Sequence, residues 1–350
     1  MTDATPGAHP PGSIGWLKTV TRDLTGRGVL RITAPGGPGR ASMRVELEDG
    51  TTVIATRRAS AARAAAEHAV LDALAAEGAP VPAPIGFADG LLLQTDVGAH
   101  RLSTEMAGSD TKRRVALAAG ALAALDGCRA AIMRRPELVA RLPGLGIEPA
   151  WAEEFVSRPV FLSGDLGIAQ PKMDFEAVAT ALAATPSRFL RWNAPLAKAS
   201  VQDAGTVIWY DWSLTGRRTG VEDVAWAVSD PAWGLDRATT DGLIEGPCDG
   251  DADAMAMVRR MATLLAANRL ARMTASLRTE GWADAATALR QGRDAPVAEN
   301  LPGWTARMSE LCADDAHLGG FAPWFAAVPD AMARLAEPAA DRRGDAAGAA

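Results

Sequence analysis

From Gly28 onward, apolar and polar positions follow a strand-like pattern. Val29–Thr33 leads into the turn Ala34-Pro-Gly-Gly-Pro-Gly-Arg40. Met43–Leu47 alternates apolar with polar, Asp49-Gly50 signals a hairpin, and Thr52–Arg57 gives a third strand. Ser60 is placed to cap a helix that runs to about Glu77 and closes at Gly78, with Val70, Leu71 and Leu74 on one face. Pro80, Pro82 and Pro84 stop it, because proline has no N–H to continue the ladder. Ile85–Phe87 and Leu91–Gln94 form a further strand pair around Asp89-Gly90. Beyond residue 97 the period changes to that of helices. Lys112–Met133, Asp174–Ala184 and Ala254–Arg278 are the long ones, a short β-type stretch lies between Phe189 and Trp212, and shorter helices follow to about Ala336.

This pattern predicts an α+β chain with a small β-rich N-lobe at residues 13–96 and a larger, mostly helical C-lobe at 97–336. Residues 1–12 and 337–350 are rich in Ala, Gly, Pro and Asp and read as disordered tails. There is no internal repeat. The N-terminus has neither a basic start nor an apolar run, so it is not a signal peptide. The Ala-rich helix around Val115–Met133 contains Asp126 and Arg129 and reads as a core helix, with no membrane span expected. Net charge is −6, which argues against a nucleic-acid partner held by phosphate neutralisation. Cys128, Cys248 and Cys312 lie far apart without CxxC spacing. A reducing, cytoplasmic setting fits, and a disulfide or zinc framework does not. No histidine lies between His100 and His317, which excludes a histidine base or metal cluster in the middle of the chain.

Three segments of the small lobe carry a resemblance: Val53-Ile-Ala-Thr56-Arg-Arg58, Arg63–Leu71 and Gly78-Ala-Pro-Val-Pro82. Further on come Ile208-Trp-Tyr-Asp211-Trp212, Gly216-Arg-Arg218 and Glu222-Asp-Val-Ala-Trp226. Their order resembles the aminoglycoside phosphotransferase and protein-kinase-like family across most of residues 28–235. The resemblance implies the two-lobed protein-kinase-like fold, with catalytic-loop equivalents in 189–212. It implies ATP and Mg²⁺ as cofactors, with a nucleotide and a small molecule as ligands. Asp211 stands at the family's metal-binding Asp and Asp223 at its structural Asp. Thr56, Arg58, Glu67, Gln94 and Lys198 fall in or near nucleotide-binding positions.

The departures from that family are specific. Its loop reads His-Gly-Asp-x-x-x-x-Asn, and counting back from Asp211 places Arg191-Trp192-Asn193-Ala-Pro-Leu-Ala-Lys198 there. Asn193 occupies the position of the catalytic Asp, and an amide neither takes a substrate proton nor carries negative charge. Lys198 occupies the position of a metal-binding Asn. An ammonium about 4 Å from a dication is repelled by roughly 8 kcal/mol at an effective dielectric of about 20. It either replaces the metal and touches phosphate itself or is a solvated loop lysine. Thr56 stands where the strand lysine belongs, and Arg58, on the same strand face, is the candidate partner for Glu67. Glu67 is otherwise a surface residue. Asp211 follows an apolar strand and needs a metal or a basic partner, unless it only caps the strand end. Trp192 replaces a small glycine and is placed to reshape a pocket.

Other motifs are weaker. Gly36-Gly-Pro-Gly39 could cover phosphates, but Pro35 and Pro38 remove donors and a hairpin turn is favoured. Ser163-Gly-Asp-Leu166 imitates a catalytic loop but lies too far upstream of Asp211. Asp249–Asp253 lacks the glycine and glutamate of a calcium loop and more naturally supplies negative charge to the next helix. Asp241, Glu245 and Asp249 would attract a cationic acceptor or form a solvated acidic face. Two functions are therefore expected. One is a degenerate phosphotransferase with a nucleotide-binding or regulatory role, for which a protein partner is plausible. The alternative is an active ATP-dependent phosphotransferase acting on a small hydroxylated or amino substrate.

Overall fold

The computed structural model describes residues 9–34, 41–146, 148–184, 188–203, 205–291 and 294–337. The turn Gly36–Gly39, residues 1–8 and residues 338–350 lie outside them, and with them the expectations for that turn and for most of the two tails. The described chain opens with an element that the hydrophobic pattern did not suggest. Helix α1 (Ile14–Thr25) starts where the Ser13 side chain accepts from the Trp16 N–H and ends at Gly26, whose φ is 69°. Trp16, Leu17, Val20 and Leu24 have helical spacing, and that face is what α1 buries.

Strands β1 (Val29–Thr33), β2 (Ser42–Leu47) and β3 (Thr52–Arg57) precede helix α2 (Ala61–Ala76). Strands β4 (Pro84–Ala88) and β5 (Leu91–Thr95) follow it. They form one antiparallel sheet in the order β1-β2-β3-β5-β4. Side chains alternate across a strand, so the sheet has two apolar faces. Val45, Leu47, Val53, Ala55, Leu91 and Leu93 pack with α1, whereas Leu92 joins Val70, Leu71 and Leu74 of α2. The second cluster continues without a break into the helical lobe, so α2 belongs to the core that joins the lobes. Ser60 caps α2 by accepting from the Arg63 N–H at 3.3 Å.

The large lobe begins with α3 (Leu102–Ala107), α4 (Thr111–Met133), α5 (Pro136–Arg141), α6 (Pro149–Leu166) and α7 (Phe175–Ala184). Four short strands follow: β6 (Arg188–Leu190), β7 (Ala199–Val201), β8 (Val207–Trp209) and β9 (Gly216–Arg218). A single 3-10 turn, Leu196–Lys198, precedes β7. β6 pairs with β9 and β7 with β8, so two small ribbons frame the loop between them. The chain ends in α8 (Glu222–Val228), α9 (Arg237–Ile244), α10 (Ala252–Glu280), α11 (Ala285–Gln291), α12 (Leu301–Cys312) and α13 (Phe321–Ala336).

α4 is long and apolar enough to cross a membrane, yet half of its most apolar stretch is buried inside the protein. Its Ala121 carbonyl accepts from the Trp209 indole at 3.0 Å, and Asp126 pairs with Arg129. Ser163–Leu166 lies within α6 and is not a loop. The buried Ser163 hydroxyl donates to Pro159 and accepts from Trp324, and Asp165 pairs with Arg278. Asp251 caps α10, so the acidic run before it serves the helix N-terminus.

At the start of α8, Glu222 is fully buried against Arg218 at 2.7 Å. It also accepts from the Thr219 hydroxyl at 2.5 Å and the Gly220 N–H at 2.9 Å. Removing one member of such a pair leaves an unpaired charge in the interior. Glu222→Ala is therefore expected to lower unfolding stability by about 3–5 kcal/mol, read as a shifted urea midpoint with an unchanged slope.

Candidate functional site

β6 delivers the chain to a loop whose backbone is forced out of the ordinary regions. Trp192 and Asn193 have φ of 54° and 63°, and Asp211, just after β8, has 64°. Left-handed conformations at non-glycine residues cost on the order of 1–2 kcal/mol each, so other contacts must impose them. Arg191, 1 % exposed, is the main one. Its backbone N–H donates to Asp223 Oδ2 at 2.7 Å. Its guanidinium donates to the Asn193 carbonyl at 2.8 Å and to the Tyr210 carbonyl, tying the loop to the turn at Asp211. The cation lies over the rings of Trp209 and Trp212, 5.2 and 5.5 Å from their centroids. Trp151 supports Trp192 edge-on at 6.0 Å. Tryptophans near the loop thus hold a buried arginine as well as fill space.

Asp211 is the electrostatic centre. Lys198 Nζ is 2.7 Å from Oδ2, and Arg58 Nη2 donates to Oδ1 at 2.8 Å. The Ser213 hydroxyl also donates to Oδ1, at 2.8 Å. Arg58 simultaneously grips Glu67 through Nε and Nη2, both at 2.7 Å. Glu67 is 2 % exposed, which excludes a surface role. Burial alone would push the Asp211 carboxyl up, but Lys198 and Arg58 outweigh it and hold the carboxyl well below the usual range. Lys198 is accordingly a paired residue at the lobe boundary and not a solvated loop lysine.

These four residues do not fit a divalent metal. Both Asp211 oxygens already accept from cations, and one of those cations is the Lys198 ammonium. No group of three or more His, Cys, Asp or Glu among the described residues is arranged to hold one. Two cations face two carboxylates, so the cluster is neutral without a metal, and a dication would have to displace Lys198 and Arg58 against their repulsion. Thr56 and Gln94 stay apart from this cluster. Thr56, 3 % exposed, shares a 2.8 Å hydrogen bond with the Ser42 hydroxyl across β2–β3. Gln94 is buried in β5 opposite Ile54 and Pro84.

A cavity of about 1080 Å³ opens on the C-lobe side of the loop, where Trp192, Asn193 and Lys198 form one wall. Trp226, Asp230, Arg269, Arg307 and Trp304 contribute to the remainder. Asp241, Glu245 and Asp249, the acidic residues that the sequence offered for an acceptor, are not on its wall, and Asp241 is paired with Arg259 at 2.9 Å. The arginines of α10 were missed. Their signal was Asn268-Arg269 inside the apolar run Met261–Leu270, where a buried charge needs a reason.

Residues 32–192 match the model of the phosphotransferase enzyme family, APH. The match ends at Trp192, one residue before Asn193, so Lys198 and Asp211 lie beyond it. No curated protein matches the sequence. Among solved structures, the chain is similar to aminoglycoside phosphotransferase APH(2'')-Ib with ADP bound. That similarity has a TM-score of 0.51 at 11 % identity and covers 83 % of this chain and 97 % of that one. It is also similar to the choline kinase LicA from Streptococcus pneumoniae, with a TM-score of 0.48 at 11 % identity, covering 83 % and 98 %. The chain has the kinase-like two-lobe fold, with a five-stranded antiparallel N-lobe and a larger helical C-lobe.

Asp223 provides a test of the loop's electrostatics. Burial pushes its carboxyl up to about 6, against the opposing pull of the Arg191 N–H and the Arg191 charge. A folded-state value above the unfolded one means that this group's stabilisation is complete below about pH 4 and lost as pH rises to about 6. Two pKa units correspond to roughly 3 kcal/mol. Asp223→Asn removes that loss, so relative to the parent its unfolding stability should improve by about that amount between pH 4 and pH 7. Urea titrations at both pH values check it; an unchanged difference would show that Asp223 is ionised throughout.

Proposed function

We propose that this chain is a catalytically degenerate kinase-fold protein with a nucleotide-binding or regulatory role. The observation that carries it is the Arg58–Asp211–Lys198 arrangement, in which protein cations occupy both oxygens of the carboxylate that would otherwise hold the metal. Asn193 adds to it, because an amide at the end of the cavity provides no general base. The nucleotide part is supported by the ADP bound in APH(2'')-Ib, whose fold this chain shares. Such binding proceeds without a divalent ion, and a protein partner suits the regulatory form.

A cytoplasmic setting accompanies this reading. The three cysteines are free and buried, and burial pushes the thiols of Cys128 and Cys312 up to about 12 and that of Cys248 to about 11. Thiols so protonated are poor nucleophiles and need no oxidising compartment.

A second reading, an active ATP-dependent phosphotransferase, is favoured by the size of the cavity that meets Asn193, which is large enough for a small hydroxylated or amino substrate. Calorimetry with ATP, ADP and GTP, with and without Mg²⁺ or Mn²⁺, separates the two. The degenerate reading expects metal to strengthen nucleotide binding by less than about threefold and expects no ATP consumption. In Asn193→Asp/Lys198→Asn, metal dependence should appear, because a base and a ligand replace an amide and an ammonium. Metal-dependent turnover by the parent chain, lost in Asp211→Ala, would establish the second reading instead.

A further inference from the structure

Lys198 reaches Asp211 from a short element, the 3-10 turn Leu196–Lys198. One such turn is poor at holding itself. Its hydrogen bonds are badly aligned, and its last carbonyls have no partner within it. The Leu196 N–H is held by Asp230 Oδ2 at 3.1 Å, and the Leu196 carbonyl accepts from the Ala199 N–H. The remaining two carbonyls are both taken by one residue. The Tyr210 hydroxyl donates to the Ala197 carbonyl at 2.6 Å, and the Tyr210 backbone N–H donates to the Lys198 carbonyl at 3.0 Å.

These two bonds differ in what they ask of the sequence. The backbone bond is the next rung of the β7–β8 ribbon, which pairs Ala199 with Trp209, and any residue except proline would make it. The hydroxyl bond needs a long side chain ending in a donor. Tyr210 is the only tyrosine in the chain. Its own place is fixed from the other side, because its carbonyl accepts from the buried Arg191 guanidinium. The residue after it is Asp211, whose φ is 64°. Tyr210 therefore holds the carboxylate through the chain and the turn that carries the ammonium through its hydroxyl. Ala197 and Lys198 line the cavity, whereas Tyr210 does not, so it acts on that wall through them. Burial pushes its phenol above the ordinary range, although Arg101 and Arg191 beside it pull the other way.

We infer that Tyr210 is the positioning residue of the Lys198–Asp211 pair, its hydroxyl anchoring the 3-10 turn at Ala197 so that the Lys198 amine stays on the carboxylate. The inference rests on the same ion pair as the function proposed above. Its test reads the access of an amine and involves neither nucleotide nor metal, so the two fail separately.

The test is lysine labelling with acetic anhydride on the full chain, followed by peptide mass spectrometry. Lys18, Lys112 and Lys172 are exposed and serve as references within the same molecule. In the parent, Lys198 should label at least about tenfold more slowly than these three. One hydrogen bond is worth roughly a factor of five in such an equilibrium, so Tyr210→Phe should speed Lys198 by about that factor and leave the references unchanged. The gain should not depend on urea below the unfolding transition, because the turn opens locally. Parent labelling as fast as the references, an unchanged Lys198 rate in Tyr210→Phe, or a gain that climbs with urea along the slope of global unfolding would each overturn the inference. If Tyr210→Phe fails to fold, the parent decides alone. With a single tyrosine, phenolate absorbance in the near ultraviolet reads Tyr210 by itself. A buried donor should ionise above the ordinary tyrosine value of about 10, and a midpoint at or below that value would overturn the inference.

Discussion

A carboxylate taken out of water needs positive charge beside it, and Asp211 finds that charge on both sides of the lobe boundary. Arg58 comes from the end of β3 and Lys198 from the 3-10 turn before β7, and they meet on one side chain. Arg58 in turn is fixed by Glu67 of α2, whose apolar face belongs to the same core as the helical lobe. The register between the lobes is therefore set by charge and by packing acting on one helix. A metal ion would supply the same positive charge, and here the chain supplies it permanently. The ionisation of Asp211, favoured by Lys198 and Arg58, stabilises the fold above the ordinary carboxylate range and is lost only in acid.

The loop beside this cluster keeps a strained backbone while carrying different side chains. Trp192 and Asn193 hold left-handed conformations without being glycine, and the restraint comes from Arg191 pulling the Asn193 and Tyr210 carbonyls together over Trp209 and Trp212. Geometry and chemistry have separated here. The turn positions a residue at the cavity end, but that residue is an amide. The strained turn thus holds Trp192 and Asn193 on the cavity wall.

Much of the fold was legible in the sequence because its signals are local. Hairpin residues, the Ser60 cap, the proline stop after Gly78 and the period change after residue 97 each act within a few residues. Helix α1 was missed although Trp16, Leu17, Val20 and Leu24 show its face, because the pattern of elements was read only from Gly28 onward. The site was legible only in part. Arg58 with Glu67, and the need of Asp211 for a basic partner, followed from strand periodicity and from the energetics of a buried charge. That Lys198 is the second partner could not be read, because it depends on how the 3-10 turn folds against β8. Thr56 and Gln94 share the lobe but face bonding and burial within the sheet.

The cavity shows the same limit most clearly. Its charges come from α4, α10, α12, the turn after α8 and the segment before α12, among others, separated by dozens of residues, and no local pattern joins them. Acidic residues that are neighbours in sequence, Asp241, Glu245 and Asp249, suggested a cationic ligand, yet they lie off the wall and Asp241 is neutralised by Arg259. Ligand charge in a helical lobe is decided by which helix faces turn inward, and α10 turns Arg269 inward. An arginine kept within an apolar helix, with Nε and Nη2 unpaired among the described residues, carries a desolvation penalty that Asp230 and Asp294 offset only in part.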